Sequence, residues 1–218
     1  MLFRKIIAII LERKLIKEKD ALVFILSEKE GVLKLYSKSS FIWSSKNVSL
    51  LQPGNLLKLW IMSDIEKMRL ISGLPLKIPS KIFHKYPYFY LWTLRLIRIF
   101  NLRETPPKLW EIVNSIDDYL KENPKNFIPW FVFKFLEEIG FGLDFKFCQC
   151  GRILDQDVFW QHYQFVCKKC KKPGDVKIDE NILKDFKKLK SEKPPKGNIN
   201  KEIHKFLKER LKLAKSLL

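Results

Sequence analysis

Histidine, cysteine and glycine are scarce in this sequence of 218 residues, which contains 3 His, 4 Cys and 8 Gly. The histidines at positions 84, 162 and 204 are far apart, so no histidine-rich catalytic centre is indicated. No glycine-rich phosphate-binding loop is present, which argues against a P-loop nucleotide site. The four cysteines all lie between positions 148 and 170, too close together to staple a domain of this size. They favour a metal site over a disulfide framework.

Long apolar runs are also missing. The most apolar stretches, residues 6–11 and 127–136, are shorter than the ~20 residues needed to cross a bilayer. The N-terminal segment has no small-residue cleavage site of the kind that follows a secretory signal. We therefore expect a cytoplasmic protein with no membrane partner. Hydrophobic residues make up 46% of the chain, enough for a packed core and too many for a disordered protein.

Acidic residues are outnumbered, with 24 Asp and Glu against 42 Lys and Arg, for a net charge of +18. Residues 1–78 carry 14 basic and 7 acidic side chains, residues 79–147 carry 10 and 8, and residues 148–218 carry 18 and 9. A lysine-rich proteome would raise all three parts alike, whereas here the middle is nearly neutral. The uneven distribution favours a polyanionic partner, and nucleic acid is the commonest one.

Residues 3–72 have the pattern of short β-strands, rich in β-branched and aromatic residues and separated by charged or turn-forming breaks. Five such strands predict a small antiparallel barrel of the OB type, with an SH3-like barrel as the alternative. Three helices are predicted next, at about 88–102, 108–120 and 127–139, and two more at about 179–190 and 201–217. The aromatic residues of the middle segment favour a buried core over a partner groove.

The cysteines form two pairs, Cys148-x-Cys150 and Cys167-x-x-Cys170, separated by a hairpin-length insert. Two such pairs predict a zinc ribbon in which four thiolates hold one structural Zn²⁺ and leave no position open for a catalytic water. Alternatives are a site in which His162 replaces Cys148 and a ribbon that has lost its metal. Lysines surround the second pair and are predicted to contact phosphates; they are Lys168, Lys169, Lys171 and Lys172.

The order of barrel, aromatic helices, cysteine ribbon and terminal helix resembles the RecO family of bacterial recombination mediators, and the resemblance covers essentially the whole chain. The stretches that carry it are residues 8–13, 27–38, 51–59, 133–143 and 215–218. The chain departs from the family at Cys148-x-Cys150, where CxxC is usual. The resemblance implies an α+β multidomain protein. Its expected parts are an OB-fold barrel (1–78), a helical domain (79–147), an inserted zinc ribbon (148–177) and C-terminal helices that complete the helical domain (178–218).

A RecO-like protein is expected to bind single- and double-stranded DNA, anneal complementary strands, and help RecR load RecA onto DNA coated by the single-strand-binding protein SSB. It consumes no nucleotide. In some members a basic-rimmed pocket in the helical domain takes the acidic SSB tail, and Arg95, Arg98 and Lys134 are the candidates for such a rim here. On the barrel, DNA contacts are predicted for Arg4, Lys5, Lys34, Lys38 and Trp43, with Trp43 either stacking on a base or folded over the barrel end.

Two other classes of function are compatible with parts of the sequence. A metal-dependent nuclease would use paired carboxylates, for which the candidates are Asp155 with Asp157, Asp117 with Asp118, and Glu137 with Glu138. Acidic residues are common in turns and on helix surfaces, which explains each of these pairs without a catalytic role. We therefore predict a protein that is not an enzyme. A ribosomal or RNA-binding zinc protein fits the charge and the ribbon but not the full-length resemblance.

Overall fold

The N-terminal strands form a closed five-stranded barrel in the computed structural model, which describes residues 2–16, 18–40, 46–64, 67–154 and 157–217. The strands are β1 (Leu2–Leu15), β2 (Ala21–Ser27), β3 (Gly31–Ser37), β4 (Leu56–Ser63) and β5 (Met68–Lys77), with a short helix α1 (Lys46–Leu50) before β4. Their order around the barrel is β1-β2-β3-β5-β4, and β1 also pairs with β4. The five strands predicted from the alternation of apolar residues are confirmed.

The barrel interior is filled by alternate residues of every strand, as the period of two of a β-strand requires. The fully enclosed side chains are aliphatic and come from β1 to β4 and from the residue that follows α1: Ala8, Ile10, Ala21, Val23, Ile25, Leu35, Leu51, Leu57, Leu59 and Ile61. Met68 and Leu70 of β5 pack against this core from the barrel wall. The interior is therefore a solid core and not a ligand channel.

Part of the outer barrel surface is also apolar. Ile9 and Leu11 of β1, and Phe24 and Leu26 of β2, are buried although they alternate with the core residues. The helix α3 (Pro87–Phe100) packs on β1 and β2 and covers them. A covered outer face explains why β1 and β2 are almost continuously apolar, since both of their faces are removed from water.

The turn between β2 and β3 is fixed by the segment that follows α3. Gly31 has a φ of +70°, and a Cβ at this position would lie 2.1 Å from the carbonyl oxygen of Leu102. The neighbouring Val32 donates its N–H to the same oxygen at 2.7 Å, and the Thr105 hydroxyl donates to the Ser27 carbonyl at 2.6 Å. Glycine is required here both for the left-handed backbone and for the close approach of a second chain segment.

Helices make up most of the remaining chain. They are α2 (Lys81–Lys85), α4 (Pro107–Asn114), α5 (Ile116–Glu122), α6 (Pro124–Glu138), α7 (Glu180–Leu189) and α8 (Glu202–Leu217), with a small sheet of β6 (Phe159–Gln161), β7 (Gln164–Val166) and β8 (Val176–Lys177) between α6 and α7. The helix predicted over 108–120 is two helices that break at Ser115, where Asn and Ser favour side-chain hydrogen bonds over helical continuation. The short helices α1 and α2 were not predicted.

The chain forms two compact units, residues 1–121 and 122–218. The first contains the barrel and α2 to α4 with most of α5, and the second contains α6, the cysteine ribbon, α7 and α8. The four-part division at residues 78, 147 and 177 stays a prediction about domain organisation. In the part of the chain that the structure describes, no helix combines the length and apolarity needed to span a membrane.

A continuous series of aromatic rings forms the core of the second unit. Phe133 of α6 stacks on Phe145 with ring centroids 5.7 Å apart, and Phe145 lies 5.5 Å from Phe186 of α7. The ribbon joins the series through Phe165, 5.3 Å from Phe145, and through Trp160, which lies 4.9 Å from Phe206 of α8. These separations are within the range of favourable aromatic pairs. The prediction that the aromatic residues of the middle segment form core, and not a groove, agrees with the burial of those on α6, whereas Tyr88 on α3 and Phe147 are exposed.

Changing Gly31 to Ala is expected to destabilise the first unit severely. The substitution adds left-handed strain of about 1–2 kcal/mol and a collision with the Leu102 carbonyl, so we expect a total loss of about 2–4 kcal/mol. Urea denaturation measures this decrease in the free energy of unfolding. Gly140→Ala is the control, because Gly140 also has positive φ (+82°) but no atom within 4 Å of an added Cβ, so strain of about 1–2 kcal/mol is expected alone. Equal losses in the two variants would contradict the close-contact explanation.

Candidate metal centre and nucleic-acid surfaces

Two tight turns hold the cysteines. In the first, Gly151 donates its N–H to the Cys148 carbonyl at 2.8 Å, and Gly151 has a φ of +82°. In the second, Cys170 donates its N–H to the Cys167 carbonyl at 3.0 Å. The backbone N–H of Cys167 also points at the Cys148 sulfur, 3.4 Å away, and so links the two turns. Both turns aim their side chains at one point.

The four sulfur atoms form a compact group in which all Sγ atoms lie within 4.8 Å of one another. The Sγ atoms of Cys150 and Cys167 are 3.7 Å apart. A tetrahedral Zn²⁺ bound to four sulfurs at about 2.3 Å places the sulfurs about 3.8 Å from each other. The cluster therefore fits a four-thiolate metal ion, and the short spacing of Cys148-x-Cys150 is accommodated by the turn at Gly151.

His162 is not part of this group. It lies with positive φ (+43°) in the exposed turn between β6 and β7, and the close ligand atoms found among the described residues are the four cysteine sulfurs. The arrangement in which His162 replaces Cys148 is not the one that the structure contains.

Hydrogen bonds within the cluster divide the thiols into easily and poorly ionised groups. The Cys167 sulfur accepts hydrogen bonds from the backbone N–H groups of Cys170 and Lys169. The bond from Cys170 has the largest effect, and together the two outweigh burial and lower the pKa of Cys167 to about 6. Burial raises the pKa of Cys148, but backbone N–H groups of Cys150 and Cys167 outweigh it and the net shift is downward. Hydrogen bonds with the Cys150 and Cys148 sulfurs raise the pKa of Cys170. Thiolate is the form that binds metal, so part of the site is ready for a cation at neutral pH.

The hairpin that carries the second cysteine pair is anchored to α8. The Trp160 indole donates its N–H to the Glu209 carboxylate at 3.0 Å. Arg210 donates to the carbonyl of Tyr163 in the hairpin turn at 3.0 Å and to the carbonyl of Phe141 at 2.9 Å. These bonds, together with the aromatic contacts of Trp160, attach the ribbon to the unit independently of any metal. Sequence reasoning missed this anchor, because Glu209 and Arg210 read as surface residues of an amphipathic helix.

The lysines around the second turn face solvent but have an acidic neighbour. Lys168, Lys169, Lys171 and Lys172 are all exposed. Asp157 lies 3.8 Å from the Lys168 ammonium and 2.5 Å from that of Lys177. The hydrogen bond and the charge of Lys177 lower the pKa of Asp157, so this carboxylate is ionised at neutral pH. Asp157 therefore offsets part of the positive potential of the lysine turn.

The cations predicted on the barrel lie in different places. Arg4 points to the barrel end, where its guanidinium bonds the Glu30 carboxylate at 2.5 Å. Lys5, one residue later, is exposed on the opposite face of β1. Lys38 is exposed after β3, and Trp43 lies outside the described residues. Arg4 and Lys5, which the sequence grouped together, are thus on two sides of the strand.

Three basic side chains lie over the aromatic ring of Phe24. The Lys34 ammonium on β3 lies 6.0 Å from the centre of the Phe24 ring, that of Lys14 on β1 lies 5.8 Å away, and the Arg98 guanidinium on α3 lies 5.0 Å away. Arg98 also forms an ion pair with Glu12. Phe24 and Lys34 are directly paired across β2 and β3. The structure therefore brings Arg98, assigned from sequence to an SSB pocket, to the same barrel face as Lys34.

More than half of the chain matches the model of a known protein family. Residues 96–212 match the family model described as "Recombination protein O C terminal". The chain belongs to the RecO family. The match extends from within α3 to within α8 and includes all four cysteines, whereas the barrel lies outside it. No curated protein matches the chain closely enough to be named as a relative.

Three of the other residues singled out from the sequence of this RecO family member, Lys134, Asp117 and Asp118, bond groups within the chain. Lys134 donates to the Lys190 carbonyl at 2.9 Å and pairs with Glu137 at 3.3 Å, while Arg95 is exposed on α3. Of the carboxylates, Asp117 accepts the Ser80 N–H at 2.9 Å and Asp118 pairs with Lys121 at 3.2 Å. Asp155 lies outside the described residues.

A zinc ion held by the four cysteines would fix the turns of the RecO ribbon, so its removal is expected to loosen those turns but not the hairpin. Amides at 148–151 and 167–170 lose their fourfold sulfur anchor, whereas β6 and β7 stay attached through Trp160 and its contacts with α8. Hydrogen exchange before and after chelation measures this, with zinc content by elemental analysis expected at about one ion per chain. Cys167→Ser removes one of the four sulfurs and is the matched variant expected to hold no zinc. Loss of protection across all of residues 144–178 at once would contradict the anchor.

Changing Asp157 to Asn is expected to strengthen nucleic-acid binding. The variant removes the carboxylate beside Lys168 and Lys177, and Asn tolerates the positive φ (+48°) of this position. An increase in affinity of about 2- to 5-fold at low salt is expected from one surface charge, shrinking as salt rises. Fluorescence anisotropy with a labelled oligonucleotide measures it. Asp118→Asn makes the same change of net charge in the first unit. An equal effect of both variants would mean that only net charge matters.

Proposed function

We propose that this RecO family member is a recombination mediator. It binds single- and double-stranded DNA, anneals complementary strands, and with RecR assists the loading of RecA onto SSB-coated single strands. The observation that carries the proposal is the family match over residues 96–212 in a chain whose net charge of +18 is concentrated in its two end segments. Such a protein acts where chromosomal DNA is, and its expected location is the cytoplasm, at the nucleoid.

The barrel is proposed to be an OB fold that supplies one DNA-binding face. Support comes from the five-stranded closure through the β1–β4 pair and from the parallel contact of β3 with β5. Lys34 and Lys38 are exposed on and after β3 and are the proposed phosphate contacts, with Lys14 beside them. Arg98 supports the same face from α3. Arg4 pairs with Glu30 and is proposed as a weaker phosphate contact than the exposed lysines.

The ribbon is proposed to supply a second DNA-binding surface. A structural Zn²⁺ held by the four cysteines would fix the turn that presents Lys168 and Lys169 and the lysines that follow it. Holding ammonium groups on a rigid turn lowers the conformational entropy that binding costs. The metal supplies structure only, since four protein ligands leave it no open position.

Annealing by this protein needs charge neutralisation and no chemical step. Two DNA strands repel each other, and a surface rich in lysine lets them share one counterion environment. Binding through phosphates leaves base edges available for pairing. The absence of catalysis is part of the proposal and is supported by the roles of Asp117, Asp118, Asp157 and Glu137, each of which already bonds a group of the chain itself.

RecR and the acidic SSB tail are the proposed protein partners. Of the three basic residues considered for the tail, Arg98 pairs with Glu12 and Lys134 with Glu137, so exposed Arg95 is the most accessible. An acidic tail would have to compete with these internal carboxylates at the other two positions.

Annealing of SSB-coated complementary strands, with and without RecR, tests the function. Acceleration is expected, and affinity for single strands is expected to fall steeply with salt, because each phosphate contact contributes about 0.7 to the slope of log affinity against log salt. Lys34→Ala with Lys38→Ala is expected to lower that slope by about 1 to 1.5. Lys121→Ala with Lys125→Ala, on α5 and α6, is the matched control. No acceleration in either condition, or a preference for RNA over DNA, would contradict the assignment.

A further inference from the structure

The outer surface of β4 and of its two neighbours differs from the rest of the barrel, because large apolar side chains on it are exposed. Register places three residues in each cross-strand row: Phe3, Met62 and Arg69; Lys5, Trp60 and Ser72; and Ile7, Lys58 and Leu74. These residues alternate with the buried core residues Ile6, Leu59 and Ile61, so they point outward. We call this surface the β1–β4–β5 face.

Aromatic side chains stand at the centre and edge of the β1–β4–β5 face. Trp60 is 39% exposed in the middle of β4, and Phe3 is 67% exposed on the adjoining part of β1. Ile71 and Leu74 of β5 are both about half exposed. A tryptophan in the central strand of a sheet is normally covered by another element, as α3 covers Phe24 on the opposite side. Trp60 instead keeps 39% of its surface exposed.

Cations surround the exposed tryptophan. Lys5 is directly opposite Trp60 on β1, and the Lys58 ammonium lies 6.0 Å from the Trp60 ring centre, at the outer limit of a cation–π contact. Arg69 is exposed on β5. Residues 2–9, 56–63 and 68–77 contain no Asp or Glu, so the three strand segments that form this face carry no acidic side chain.

The combination indicates the chemistry of the ligand. A purely apolar patch would suit a protein partner, and a purely basic one would suit any polyanion. Flat apolar rings between cations, with no carboxylate, match a chain of alternating aromatic bases and phosphates. Neighbouring strands are about 4.8 Å apart, so three strands give a surface about 10 Å wide, suited to one unpaired nucleic-acid strand.

We propose that the β1–β4–β5 face binds single-stranded nucleic acid, with a base stacked on Trp60 and phosphates held by Lys5, Lys58 and Arg69. This inference rests on the proposed function as a DNA-binding protein and adds a site to it. The centre of this face differs from the surface that carries Lys34, because Trp60 and Lys58 lie on β4, between β1 and β5, whereas Lys34 lies on β3. The two surfaces adjoin where Arg69 of β5 pairs with Tyr36 of β3. One barrel thus offers two surfaces to single-stranded DNA.

Photo-crosslinking of the full-length protein to a single-stranded oligonucleotide containing 5-iododeoxyuridine identifies the contacted side chains. Peptides containing Trp60 or Phe3 are expected to carry the nucleotide. Trp60→Ala is expected to weaken binding by about 5- to 150-fold, the range that corresponds to the loss of one stacked base, while Trp60→Phe keeps most of the affinity. Trp110→Ala, at a half-buried position of α4, is the matched tryptophan control.

A charge variant keeps the test valid if Trp60→Ala fails to fold. Lys5→Gln, Lys58→Gln and Arg69→Gln together leave the core untouched and are expected to lower the salt slope by about 2, since each removed phosphate contact contributes about 0.7. Lys121→Gln, Lys125→Gln and Lys108→Gln together are the control for the same loss of net charge.

The outcomes separate this inference from the proposed function. If the wild-type chain does not bind single-stranded DNA, the proposed function fails. If it binds, but crosslinks fall only on the Lys34 side and both face variants bind normally, the inference is wrong and the function stands. Loss of self-association in Trp60→Ala, measured by sedimentation, with DNA affinity unchanged would show a protein interface and would also overturn it.

Discussion

The first unit depends on a single strand that is paired along both of its edges. The first half of β1 bonds to β4 and its second half bonds to β2, and the two pairings overlap at Ala8 and Ile9. A register shift between Ile10 and Glu12 bends the strand at the crossing, as bulges do in small barrels. Closure through β1 removes the sheet edges. It also decides what stands on each outer surface: apolar residues under α3 on one side, and Trp60 with its cations on the other.

The positions of the strands could be predicted from the sequence, but which side chains lie together on each outer surface of the barrel could not. Runs rich in β-branched and aromatic residues, bounded by charged or turn-forming breaks, identified all five strands. Which outward residues meet depends on register, and a slip of one residue exchanges the faces. Lys34 with Phe24, and Lys5 with Trp60, are pairs of this kind. The position of Arg98 over Phe24 could not be predicted for a related reason, since helix periodicity does not reveal which strand a helix covers.

In the ribbon, too, the features set by neighbouring residues could be predicted, whereas the contacts between distant residues could not. Cysteine spacing alone indicated a four-sulfur site, and the structure brings the four sulfurs together as expected. The acidic partner of the lysine turn was not foreseen, because Asp157 is distant in sequence from Lys168 and Lys177 and reads as an ordinary turn residue. The attachment of Trp160 to Glu209 was equally hidden, since it joins positions 49 residues apart. Such contacts follow from chain folding and leave no local signal.

The position of α8 in the core has a consequence for synthesis on the ribosome. Ile203, Phe206 and Leu207 are buried, and α8 packs against α6, whose aromatic residues are made about 70 residues earlier. While the ribbon and α7 emerge, Phe127, Phe131 and their neighbours have no completed core to enter. During this interval the nascent second unit exposes a run of aromatic side chains, the kind of surface that chaperones hold. The barrel has no such delay, since all five of its strands precede α2.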